Sequence, residues 1–249
     1  MTSILSERQI NKIREAGKIV TACHIALRDI IEPGLKTSTV DDFVRNFIVS
    51  HKAIPAQIGY MGYPFATCTS LNDEICHAFP GNEIIADGDI LKVDFVVNLN
   101  GWMADSCWCY AVGDVSDEAA NLMKVTKECL YKGIEKSIHG NRIGDIGNVI
   151  QKHAKSNGYS VVREYTGHGI GREMHDGLIV PHFGIEGKGP RIREGMVFTI
   201  EPMINEGAPG CMIDADGWTA RTADGSLCAQ YEHTLAITKN GPEVITEQD

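Results

Sequence analysis

Apolar positions along this chain follow two rhythms, and the rhythm changes three times. Residues 6–31 carry Ile10, Ile13, Ala16, Ile19 and Val20 at helical spacing, with Ser6 and Gln9 in capping-box spacing at the start. Pro33 and Gly34 end this helix. A second helix is predicted from about Ser38 to His51, with Asp41 three residues after the cap. Between about 55 and 112 the pattern becomes short β-like runs broken by Gly, Pro and Asn. Two more helices follow, near 116–138 and 144–157, and from 160 onward the chain is again strand and turn.

Helix, helix, strands is thus followed by helix, helix, strands. Gly34 followed by Val40 and Phe43 matches Gly140 followed by Ile146 and Val149, and "LKVDF" at 91–95 matches "FTIEP" at 198–202. Both alignments need an offset of 106 or 107 residues, the mark of an internal pseudo-repeat. It predicts an α+β chain, 1–249, of two similar halves (about 1–115 and 116–249), with Asp94 and Glu201 in equivalent places.

Within the first strand region, "DILKVDFVVNLNGWMADSCWCY" reads as a β-hairpin turning at Asn98–Gly101. A four-residue loop pairs Val97 with Trp102 and Asp94 with Asp105; a two-residue Asn-Gly loop makes the two acids diagonal neighbours. Either register sets both carboxylates on one face, with β-carbons roughly 5 to 7 Å apart. A three-residue loop or a bulge would change that parity. Like charges so placed repel. Glu201 in the apolar run "MVFTIEPMI", and Glu232 in "LCAQYEHTLAI" on the alternate face with Gln230 and Thr234, add two acids to strands that should exclude them. Any one of these acids alone is an ordinary surface or salt-bridged residue. Together they are better explained by a cation.

"YTGHGIGREMH" at 165–175 sets His168 and His175 seven apart among three glycines. On a helix the two would share a face. Each glycine costs a helix roughly 1 kcal/mol relative to alanine, so strand or loop is expected, with backbone held close to something. Oxygen ligands with one imidazole suit Mn, Fe, Co or Zn in a catalytic site. Four carboxylates would neutralise two divalent ions, and such a pair activates a water and polarises a carbonyl, the chemistry of amide hydrolysis.

Composition narrows the field. Of 249 residues, 43% are hydrophobic and 22% charged, which is ordinary for a globular chain. A net charge of −10 argues against nucleic-acid readout. No apolar run approaches a membrane span, and the first residues show no basic segment leading into an apolar core, so a cytoplasmic protein is expected. The eight cysteines form no paired CxxC units and read mostly as buried, reduced thiols. "GHGIG" lacks the third glycine of a dinucleotide loop, which would fall at Arg172, and no Walker-type GKS or GKT occurs.

"GYMGYP", "NDEICHAFP", "KVDFVVNLNGWMADS", "YTGHGIGREMH", "FTIEPMIN" and "DGWTARTADGSLCAQYEHT" resemble the type I methionine aminopeptidases over nearly the whole chain. The eleven residues from Asp94 to Asp105 and the 26 from His175 to Glu201 fit that family and leave no room for the type II insertion. The resemblance implies the pita-bread fold, a curved antiparallel sheet backed by helices with pseudo-twofold symmetry. It implies two divalent ions (Co, Mn, Fe or Zn) on Asp94, Asp105, His168, Glu201 and Glu232, with Asp105 and Glu232 bridging and Glu201 also moving protons. His77 and His175 would contact the substrate at the scissile bond, and Tyr60, Tyr63, Cys68 and Trp218 would line the methionine pocket. The implied substrate is the N-terminal methionine of nascent polypeptides. Contact with the ribosome would suit such an enzyme, although no basic patch advertises it, and a monomer is the default. Departures are Met174 where an aromatic is frequent, Asp-Gly after His175, "HAFP" for "HGIP", and Met61 where a histidine is frequent.

Taken alone, His77 and His175 are ordinary structural histidines, and Cys68 and Trp218 ordinary wall residues. His233, beside Glu232, points to the opposite face by strand alternation. Two rivals remain in view: a proline-specific aminopeptidase or dipeptidase with the same five ligands, and a non-enzymatic binding module on the same fold. The latter characteristically loses ligands, and here all five are present.

Overall fold

Four helices carry the predicted periodicity in the computed structural model, which describes residues 3–248: α1 (Glu7–Leu27), α2 (Thr37–Ser50), α3 (Asp117–Lys136) and α4 (Ile143–Ser156). Gln9 Oε1 accepts from Ser6 N at 2.9 Å, the predicted capping pair. Helix α1 stops short of residue 31. Arg28, Asp29 and Ile30 donate instead to carbonyls three residues back, and this tightening closes the last turn.

Helix α2 begins one residue earlier than expected, capped at Lys36, and Asp41 has no part in the cap. Its Oδ1 accepts from Ala66 N at 2.9 Å, Thr67 N at 2.8 Å and Thr67 Oγ1 at 2.9 Å, all buried. Asp41 therefore clamps the loop that leads into the Cys68–Leu71 strand.

The predicted hairpin forms from Ile90–Leu99 and Trp102–Ala111. Leu99 pairs with Trp102, so the loop is the two-residue Asn100–Gly101, both at positive φ (54° and 79°) as a type I′ turn requires. The four-residue loop is thereby replaced by the diagonal register. Asp105 lies opposite Val96, and Asp94 opposite Cys107. The first strand also pairs along its other edge with Ile54–Pro55 and Cys68–Leu71.

Among the described residues all strand pairings are antiparallel. Val197–Ile200 pairs with His233–Thr238, which pairs with Gly241–Val244; Met203–Asn205 pairs with Cys228–Gln230 and Ser160–Val161. Cys211–Ile213 and Ala220–Thr222 form a hairpin that adds to Glu74–Cys76. Gly167–His168 pairs with Ile179–Val180. The hairpin is stitched to the last third of the chain by Glu232 N donating to Cys107 O at 2.8 Å and by Thr234 Oγ1, which bonds both Asp105 N and Asp105 O.

Helices cover one side of the hairpin. Phe95, Ser106 and Tyr110 meet His24 of α1: Phe95 with rings 4.5 Å apart, Tyr110 through its hydroxyl, Ser106 through its carbonyl. Asp94, Val96 and Asp105, on the other face, look into a cavity whose lining includes no residue of α1–α4. The eight cysteines are free, seven of them buried.

The repeat is visible in the backbone. Helix α4 lies 106 residues after α2 at both ends. Gly34 N donates to Ile85 O at 2.8 Å, and Gly140 N to Ile192 O at 3.0 Å; both glycines sit near φ +95° (94° and 97°). The return bonds, Ile85 N to Leu35 O and Ile192 N to Asn141 O, are each 2.8 Å.

Removing Asp41 leaves two buried amides without an acceptor. Asp41→Ala is expected to lower the free energy of unfolding by about 2–4 kcal/mol, from roughly 1–3 per orphaned group. Asp41→Asn, which keeps an acceptor, should cost clearly less. Urea denaturation of the two variants measures the difference.

Candidate metal centre and substrate cavity

Glu201 and Glu232 do not lie inside continuous strands, as their apolar runs suggest. Each sits in a two-residue break. Glu201 and Pro202 separate Val197–Ile200 from Met203–Asn205; Tyr231 and Glu232 separate Cys228–Gln230 from His233–Thr238. The breaks face each other, because Ile200 pairs with His233 and Met203 with Gln230. Pro202 has no N–H to give a ladder, and ending the ladders there frees both carboxylates to turn inward.

They turn toward Asp94, Asp105 and His168. His168 Nε2 lies 3.6 Å from both Asp105 Oδ2 and Glu201 Oε1. One ligand atom each from Asp105, His168 and Glu232 fits within 4.8 Å of the others. Ligand atoms held about 2.1 Å from one divalent ion stand roughly 3–3.5 Å apart, so these separations are those of a coordination shell rather than of hydrogen bonds. Asp105 Oδ1 and Glu232 Oε1 are buried with no partner among the described residues, a heavy cost for acceptors unless a cation meets them.

The electrostatics agree. Burial pushes the Asp94 carboxyl up to about 7 against hydrogen bonds that hold it down, and drives Asp105, Glu201 and Glu232 well above the usual carboxylate range, with repulsion from neighbouring carboxylates adding to it at these three. Burial, helped by the neighbouring His175, lowers His168 to about 3, so its imidazole is neutral and has a lone pair to give. This donor set fits a divalent cation.

Local hydrogen bonds aim the ligands. Thr199 Oγ1 accepts from His168 N at 3.0 Å and donates to Glu201 Oε1 at 2.9 Å. Glu201 N donates to His182 Nε2 at 3.1 Å, and burial keeps that ring neutral with its pKa near 3. Two of the three glycines in "YTGHGIGREMH" explain themselves here: a Cβ on Gly167 would strike the Thr199 carbonyl, and one on Gly169 the Asp176 carboxylate. A Cβ on Gly171 would meet only Leu5 Cδ1, at an ordinary 3.7 Å.

Over the cluster lies a cavity of about 380 Å³ that gathers every predicted site residue. Tyr60 Oη and His175 Nδ1 are 2.6 Å apart, and the His175 ring stands 4.0 Å from that of His168. His77, at φ +59°, packs its ring against Tyr165 and nears Trp218; burial, with His175 nearby, lowers it to about 4. Burial lowers His175 too. Tyr63 is fixed by its hydroxyl on the Thr67 and Ala78 carbonyls and packs edge-on to Trp218 at 5.0 Å. Cys68 lies beside Asp94 in the neighbouring strand. Met61 and Met174 also line the cavity, the first 80% exposed at its mouth and the second buried. His233 points away, to Thr246 and Trp108, as alternation predicts.

Sequence reading assigned no role to the supporting shell of Gln57, Tyr165, Thr199 and His182. The period-2 spacing of Thr199 with Glu201 was an available signal, like that of Thr234 with Glu232.

Comparison with known proteins agrees with this geometry. The model of metallopeptidase family M24 matches residues 11–239. The chain is 43% identical to methionine aminopeptidase 1 of Bacillus subtilis over 239 residues, 96% of each chain. It is 45% identical to methionine aminopeptidase A of Synechocystis over 245 residues, 98% of this chain and 97% of the relative. The crystal structure of methionine aminopeptidase from Rickettsia prowazekii superposes with a TM-score of 0.98 at 43% identity, covering 99% of this chain and all of that one. A prolidase from Pyrococcus horikoshii shares the fold, with a TM-score of 0.79 at 22% identity over 64% of its chain.

The raised carboxyls have a measurable consequence. A carboxyl whose folded pKa exceeds its unfolded value stabilises the fold while protonated, and that contribution is lost as pH rises through the folded pKa. The buried histidines, lowered in the fold, act in the opposite direction but only below about pH 7. Metal-free protein should therefore melt lower as pH rises through about 7, where the Asp94 carboxyl loses its proton, and saturating divalent metal should flatten the trend. Calorimetry in buffers of different ionisation enthalpy should also show protons released as metal binds near pH 7.

Proposed function

The chain belongs to metallopeptidase family M24, and on that footing we propose that it is a metal-dependent aminopeptidase that removes the N-terminal methionine of newly made proteins. The observation that carries this reading is the cluster of orphaned acceptors and neutral imidazole beneath an apolar cavity that opens beside two further histidines. Identity of 40–45% to curated methionine aminopeptidases along nearly the whole chain supports the same substrate. The prolidases share only the fold at this level of identity. Five retained ligands favour catalysis over a binding module.

On this reading the chain is one catalytic domain, 1–249, built of halves about 1–115 and 116–249. Asp94, Asp105, His168, Glu201 and Glu232 would hold two divalent ions of Co, Mn, Fe or Zn. When bound, the ions supply Lewis acidity and a water of lowered pKa. Glu201 takes the proton of the attacking water and returns it to the leaving amine; its contact with Thr199 Oγ1 keeps one oxygen aimed while the other works.

Tyr60 orients His175. With the tyrosine hydroxyl donating to Nδ1, the ring proton sits on Nε2, where it can donate to the developing oxyanion. His77 supports the substrate from the other wall. Tyr60, Tyr63, Cys68 and Trp218 enclose the methionine side chain, and crowding by the histidines favours a small second residue such as Gly, Ala, Ser or Pro. No helix among the described residues is long and apolar enough to cross a membrane. The enzyme would work in the cytoplasm, as a monomer, on chains at or newly released from the ribosome.

The test strips metal with a chelator, restores Mn, Co, Fe or Zn singly, and follows cleavage of Met-Ala-Ser and of an X-Pro dipeptide. Methionine release is expected; none with any metal would sink the reading, and cleavage confined to X-Pro would replace it. His175→Ala should lower kcat about 10²–10³-fold with metal content unchanged, the loss typical of one oxyanion donor. A metal-depleted His175→Ala protein would move that residue among the ligands.

A further inference from the structure

Gln57 follows the Ile54–Pro55 strand and precedes the Tyr60–Gly62 turn, at the wall of the cavity. Its Nε2 donates to Asp94 Oδ1 at 3.3 Å and approaches Cys68 Sγ at 3.6 Å. Its Oε1 is buried and has no partner among the described residues. With Asp94 ionised, as a carboxylate that meets a cation is, the amide turns Nε2 to it, because the flipped form would set Oε1 against the carboxylate. A methionine or leucine here would fill similar space without an orphaned carbonyl. The position thus keeps a costly acceptor together with a donor placed on a carboxylate.

The same device occurs at the equivalent place in the second half. Glu201, related to Asp94 by the 107-residue offset, takes the hydroxyl of Thr199 on Oε1. Both acids are thereby held by a neutral donor on one named oxygen, Asp94 by Gln57 and Glu201 by Thr199. A carboxylate turns broadly about its last torsion, so such a partner decides which oxygen faces the cluster.

We propose that Gln57 is a positioning residue for the metal centre, holding Asp94 through Nε2 so that the carboxylate presents a fixed oxygen to a divalent cation. This rests on the metal-binding part of the reading above. Gln57 acts through Asp94 and needs no contact with the ion.

The test is calorimetric titration of metal-free protein with Mn or Co alone. Gln57→Met removes the donor and relieves the orphaned carbonyl. It should weaken metal binding about 10–100-fold, the range for losing an outer-shell partner, without lowering the melting temperature of the metal-free protein. In an Asp94→Asn background the same change should have little further effect, since the path through the carboxylate is already cut. Wild-type affinity in Gln57→Met, or an undiminished loss in the Asp94→Asn background, overturns the assignment. Wild-type protein that binds no divalent cation overturns the metal reading with it, whereas an unchanged Gln57→Met leaves that reading standing.

Discussion

Repulsion among four buried carboxylates is the constraint around which this protein is arranged. Asp94 and Asp105, from one hairpin, converge with Glu201 and Glu232 where burial opposes ionisation of each and repulsion adds to it at Asp105, Glu201 and Glu232. A fold gains nothing from such a cluster on its own account. Its neighbourhood nevertheless supplies few compensating donors: Thr199 for Glu201 and Gln57 for Asp94, with one oxygen each of Asp105 and Glu232 left bare. The divalent metal that family membership implies would complete the balance from outside the chain, and would couple folding to metal loading.

Convergence of this kind needs a backbone that is regular almost everywhere and interrupted at chosen points. The hairpin sets Asp94 and Asp105 by register alone, since a tight Asn100–Gly101 turn leaves no freedom in the pairing. Glu201 and Glu232 are placed by the opposite means, at facing gaps between ladders. His168 enters on a two-residue strand whose flanking glycines let it press against Thr199 and Asp176. Regular strand, broken strand and glycine-rich crossing each deliver ligands to the same point.

These three devices differ in how plainly they can be read from residues. The four helices and the hairpin follow from periodicity and turn chemistry, which are local, so their positions were predictable to within a few residues. The repeat was legible as an offset because both halves use the same glycine-led entry into a helix, at Gly34 and Gly140. The strand breaks were not legible, because "MVFTIEPMI" and "LCAQYEHTLAI" are apolar throughout and only pairing in space decides where a ladder stops. Asp41 was misread as a capping residue for a similar reason: its partners, Ala66 and Thr67, are local to nothing near it in sequence. The clustered acids themselves were visible as carboxylates in apolar company. Their orienting partners were not, since Thr199, Gln57 and His182 are ordinary residues until the fold brings them to a carboxylate.

The hairpin separates its duties by parity. On its first strand Asp94 and Val96 look to the cavity while Phe95 packs on a helix; on its second, Asp105 looks to the cavity while Ser106 and Tyr110 meet α1. Neighbouring residues thus answer to different masters, one to chemistry and the next to the core. Side chains can change on either face with little consequence for the other, so the pocket is free to diverge while the core stays constant. Length has no such freedom. One residue gained or lost within either strand would carry the acids into the helices and the aromatic rings into the cavity, so lineages of this hairpin can vary by substitution but not by insertion.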